Sequence, residues 1–130
     1  MRFRGVEVTI LLPERSNLPF VDWAMNALLW QTLRTGARVR RAAPPFDHTK
    51  LVLVDDAWAL IGSANIDPRS LRLNFEFSVE LYGQEALSPL VALWERRLAD
   101  SREQHLAELD ARPLPIRIRD GFARLLSPYL

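Results

Sequence analysis

His48 and Lys50 stand two residues apart, Asp55 follows five positions later, and Ser63, Asn65 and Glu76 come after the next apolar run. These are the rare residue types of the chain. Of 17 basic residues 16 are arginine, so Lys50 is the single lysine, and His48 is one of only two histidines. An imidazole attacks phosphorus or protonates a leaving oxygen, according to its charge. A lysine ammonium and an asparagine amide hold the non-bridging oxygens as negative charge grows on them. A carboxylate behind the ring fixes its tautomer and stabilises its cationic form. Together these are the parts that group transfer from a phosphodiester needs without a metal. The absence of cysteine removes disulfides and thiolate ligands, no second histidine lies nearby, and Asp55 with Asp56 makes a poor magnesium cage, so no cofactor and no metal is expected.

Each residue also has a plainer reading. A lone His-x-Lys is ordinarily a solvated strand end, and Asp56 reads as the turn of a hairpin. Asp55 completes the His-x-Lys-x4-Asp spacing, yet suits a side chain that hydrogen-bonds loop backbone and orders the site from behind. His105 lies in SREQHLAELD, a charged stretch read as helical surface. The combination of residue types at fixed spacing separates His48 and its companions from these ordinary uses.

The elements that must position them follow from periodicity. The 130 residues suit one domain, and 48% hydrophobic with 25% charged residues describes a folded globular chain. A net charge of +1 calls for no nucleic acid. No signal-peptide core and no run of ~18 apolar residues is visible. Residues 5–12 (GVEVTILL) predict a strand, and a helix follows from Ser16–Asn17 as N-cap through Pro19 and Asp22 to about Arg34, ending at Gly36. That helix is apolar nearly all round, which predicts a sheet on one side and a second packing partner on the other. Residues 37–41 read as a short strand, Pro44-Pro45 as a rigid loop, and residues 49–54 and 57–61 as a hairpin turning at Asp55-Asp56. Residues 62–72 read as loop. Residues 74–82 (NFEFSVELY) alternate cleanly as a strand, a helix of about 20 residues runs on to Asp110, and a short helix covers 121–126. Interleaved strands and helices predict an α/β fold with a mixed sheet flanked by helices. Alternation places His48 and Lys50 on one strand face, about 6.5 Å apart along the chain.

HTKLVLVD followed by GSAN resembles the signature of the phospholipase D superfamily. ILLPERSN, PPFDHTKLVLVDDAWALIGSANIDPRSLRLNFEFSVELY and RLLSPYL are similar to the second half of bacterial cardiolipin synthases. The resemblance implies a phospholipase D-like half-domain, 1–130 as a single carboxy-terminal catalytic domain lacking the first elements of its half. It makes His48 the active-site histidine, Lys50 and Asn65 phosphate ligands, Ser63 a supporting contact and Glu76 the partner of the histidine. Ile66 departs from the tryptophan that related enzymes often carry there. The implied reaction transfers a phosphatidyl group from one phosphatidylglycerol to another through a phosphohistidine, at the bacterial cytoplasmic membrane, held peripherally or by amino-terminal anchors that this sequence does not contain. A second His-x-Lys half would come from a homodimer or a preceding amino-terminal half. Two alternatives stand beside it: a homodimeric phosphodiesterase or endonuclease, and a non-catalytic fragment that needs an upstream half. Arg38, Arg40 and Arg41 would hold phosphates of either substrate.

Overall fold

The computed structural model describes residues 5–16, 18–45, 47–65 and 75–126. They form two compact units, one built from the chain up to residue 46 together with the part from 100 onward, the other from Asp47–Ala99. The fold is α/β, with the strands divided between two three-stranded sheets.

In the first unit β1 (Thr9–Pro13) runs parallel to β2 (Arg38–Ala42), and α1 (Pro19–Arg34) makes the crossover. Pro19 enters the first turn of α1, where no amide partner is lost. The Asp22 carboxylate accepts from the Ser16 amide at 3.0 Å, tying the entry segment to the helix. The cap itself falls on Leu18 without a side-chain bond, and Asn17 lies outside the described residues. Gly36, at φ +88°, reverses the chain after the helix. Leu29, Val39 and Leu109 form the core, with Ile10, Leu12, Met25, Trp30 and Leu33 packed around them. The second partner expected for α1 is α4 (Leu114–Leu126). This helix is longer than the stretch 121–126 expected, because Pro113 and Pro115 open it rather than close its predecessor.

One expected element divides. The helix predicted to reach Asp110 stops with α2 (Gln84–Ala99), and Ser101–Gln104 becomes β6, antiparallel to β2, before α3 (Leu106–Asp110). Two tertiary bonds reward the extended geometry. Arg40 donates to Ser101 Oγ at 2.6 Å and to its carbonyl, and Gln104 is buried at the other end of the strand. The predicted helix had no such partners in view.

The second unit is an antiparallel meander: β3 (Lys50–Val54), β4 (Trp58–Gly62) and β5 (Ser78–Tyr82), followed by α2. Asp55 and Asp56 both adopt positive φ, 48° and 51°, and the Ala57 amide donates to Val54 O at 3.0 Å. Short polar side chains tolerate this left-handed geometry, so the Asp-Asp pair closes the hairpin as the sequence suggested.

Candidate active site

The register brings Lys50, Gly62 and Ser78 side by side at one end of the meander. Lys50 opens β3, and His48 lies just before the strand rather than on it. The two side chains still meet. Lys50 Nζ sits 2.7 Å from His48 Nδ1 and donates to the His48 carbonyl at 2.7 Å. An ammonium has only donors, so in this contact Nδ1 carries the lone pair and a neutral ring keeps its proton on Nε2. Burial draws the Lys50 ammonium below its ordinary pKa, while the negative charges of Glu76 and Asp47 oppose that shift.

At the end of β4 the chain passes directly against β5. A Cβ on Gly62 would lie 2.3 Å from the Phe77 carbonyl oxygen and 2.7 Å from Ser78 Cα, so this position has no room for any side chain. The close approach delivers Ser63 to the mouth of the meander. Its amide donates to Phe77 O at 2.9 Å and its hydroxyl accepts from the Phe77 amide at 3.0 Å. The same hydroxyl donates to Glu76 Oε2 at 2.5 Å. Asn65 follows two residues on and is exposed; Ile66 lies outside the described residues. His48, Lys50, Ser63 and Glu76 are therefore gathered by three strand ends, of β3, β4 and β5, and the segments that adjoin them.

Asp55 is not gathered with them. It sits in the turn at the other end of the hairpin, with roughly 14 Å of strand between Lys50 and Val54. Sequence spacing alone conceals this, because a strand five residues long carries its two ends apart. Arg38, Arg40 and Arg41 also have occupations within the first unit. Arg41 is buried, donating to Asn26 Oδ1 at 2.8 Å and Pro13 O at 3.3 Å; Arg40 holds Ser101, and Arg38 faces Glu7 at 3.9 Å.

One supporting residue escaped the sequence reading. Asp47 accepts from the Thr49 amide at 2.8 Å and the Thr49 hydroxyl at 2.5 Å, and pairs with Arg97 of α2 at 3.1 Å. This clamp fixes the backbone on both sides of His48. The two Thr49 bonds, more than the nearby cations, hold the Asp47 carboxyl below the ordinary aspartate pKa. Its signal was the Asp-x-Thr spacing, a local turn that such side chains form with the amide two residues on.

The sequence matches the family described as cardiolipin synthase, PLD-like domain, over residues 1–98. The chain belongs to this family. Among curated members of the cardiolipin synthase group it is 40% identical over 126 residues to the major cardiolipin synthase ClsA of Bacillus subtilis, covering 97% of this chain and 26% of that protein. It is 35% identical over 126 residues, with the same coverage of 97% and 26%, to cardiolipin synthase 1 of Staphylococcus epidermidis. The chain thus spans about a quarter of the length of these cardiolipin synthases. Two solved structures share its fold. Phosphatidylserine synthase from Haemophilus influenzae superposes with a TM-score of 0.70 at 19% identity, over 98% of this chain and 36% of that one. The phospholipase D family member Nuc from Salmonella typhimurium gives 0.65 at 24%, over 78% and 66%.

Proposed function

We propose that this chain is one catalytic half of a phospholipase D-type phosphatidyltransferase that makes cardiolipin from two molecules of phosphatidylglycerol. The observation that carries the reading is the His48–Lys50 contact at 2.7 Å, at the mouth of a meander that also presents Ser63 and Glu76. Membership of the cardiolipin synthase family supports the substrate.

An arriving phosphodiester draws Lys50 Nζ from the imidazole onto a non-bridging oxygen, with Asn65 on another. With Lys50 withdrawn, the neutral His48 ring changes tautomer, Nε2 releasing its proton to water as Nδ1 takes one up, and presents the Nε2 lone pair to phosphorus. The Nε2–P bond forms as the P–O bond to the first glycerol breaks, and the leaving oxygen takes a proton from the histidine of a second half. That histidine next removes the proton from an incoming phosphatidylglycerol hydroxyl. Its oxygen attacks phosphorus, the N–P bond breaks, and cardiolipin departs. Glu76 offsets positive charge on Lys50 and His48 throughout, and steadies Ser63 beside the phosphate. Asp55 acts only as the hairpin turn. The second half is another copy of this chain or a preceding half of a longer protein, and the reaction takes place at a bilayer surface, where the substrate resides.

Incubation with phosphatidylglycerol vesicles tests this through cardiolipin and free glycerol, beside His48→Ala. Product that vanishes in the variant supports the transferase reading and shows that two copies complete a site. Product that persists in His48→Ala overturns the assignment. Folded protein that yields none is not active alone, and is then assayed with the missing half supplied.

A further inference from the structure

The inward face of α4 is settled by packing on α1 and by two fully buried residues, Asp120 and Ala123. Asp120 is held by Arg112 at 2.7 Å and Arg119 at 2.8 Å, and the Arg119 guanidinium lies 4.3 Å from the centre of the Trp23 ring. The opposite face is apolar and open. Leu114, Ile118, Phe122, Leu125 and Leu126 are each between 52% and 71% exposed, and at 100° per residue they line up as a single ridge. Exposed arginines flank it, Arg117 and Arg124 along one side and Arg119 along the other. The only carboxylate of the helix, Asp120, is buried and doubly paired on the far side. An apolar ridge between cationic borders, with no exposed anion, matches the interface of an anionic bilayer.

We infer that α4 lies along the surface of an anionic membrane, its ridge sunk among the acyl chains and its arginines on the lipid phosphates. Charge favours this occupant over a second copy. Docking α4 on its own image would bring two sets of like-charged borders together. The docking does not depend on the chemistry at His48, so the two proposals fail separately.

The test is flotation of the full chain with vesicles of equal phosphatidylglycerol and phosphatidylcholine, against phosphatidylcholine alone. Binding is expected to the anionic vesicles, weakening as sodium chloride is raised. The double variant Ile118→Ser/Phe122→Ser is expected to bind about tenfold more weakly at least, and Arg117→Gln/Arg124→Gln to lose its preference for anionic vesicles. Circular dichroism checks that each variant folds. Tyr82→Ser, which removes an equally exposed aromatic side chain elsewhere, is expected to bind as the parent does. Unchanged binding by the folded ridge variant overturns the inference, as does a parent chain that ignores anionic vesicles. A concentration-dependent dimer dissolved by the ridge substitutions, with no flotation, assigns the ridge to a second copy instead.

Discussion

The two ends of the β3–β4–β5 meander carry similar chemistry in different states. At the turn end, Trp58 Nε1 donates to Glu80 Oε2 at 3.2 Å and the Tyr82 hydroxyl donates to the same oxygen. Those bonds, the tyrosine's first, hold the Glu80 carboxyl below its ordinary pKa. The carboxylate faces uncharged donors only, and the nearby Asp55 and Asp56 are consumed by turn geometry. At the open end a carboxylate stands beside a hydroxyl, an ammonium and an imidazole. What distinguishes a reactive cluster from a structural one is therefore the mixture of charge types. A fixed cation next to a group that changes charge has a use for a phosphate; a carboxylate bonded to two ring donors has none.

The largest expected effects break the open end alone. His48→Ala should abolish transfer, and Lys50→Ala should lower it by about 10²–10³-fold, as expected for loss of a charged ligand to the developing oxyanion. Both should leave the melting temperature nearly unchanged, measured by circular dichroism. Next comes Gly62→Ala, whose methyl must push β5 away from Ser63. A loss of about 1–3 kcal/mol in denaturant unfolding is expected, together with loss of activity. By contrast Asp55→Asn should cost less than about 1 kcal/mol and keep activity, since asparagine accepts the same left-handed turn. Its inactivation in a folded protein would return Asp55 to the active site.

Titration sharpens the comparison further. The folded pKa of Asp47 is depressed, so its contribution to stability is fully present above the unfolded value of about 3.9 and is lost as pH falls through the lower folded value. Asp47→Asn should flatten that part of the acid unfolding curve. Lys50 moves the other way in consequence: with its pKa lowered, the alkaline limb of activity should fall earlier than an ordinary lysine at about 10.4 would allow.

Much of this was legible from residue order. Alternation placed β3, β4 and β5 within a few residues, and Pro19 with Gly36 bracketed α1, because each is a local preference that packing did not oppose. The cluster of His48, Lys50, Ser63 and Glu76 was legible too, since a hairpin and a returning strand must bring those positions to one end. Three features were hidden for physical reasons. Ser101–Gln104 reads as helix locally and is strand only because β2 offers ladder partners. His48 sits off the strand because Asp47 and Thr49 form their own turn. Gly62 looked like loop punctuation, yet it is a contact point whose partner lies fifteen residues away, at Phe77.

The most direct test of the account follows the His48 ring by nitrogen NMR while a water-soluble phosphodiester, glycerophosphoglycerol, is titrated in. Nδ1 should start with a lone-pair signature, set by the Lys50 ammonium, and shift saturably as the diester takes Lys50 away. The response should vanish in Lys50→Ala and persist in Asp55→Asn. A diester that perturbs the Asp55–Tyr82 end while leaving the His48 ring unmoved would contradict the assignment of the phosphate site.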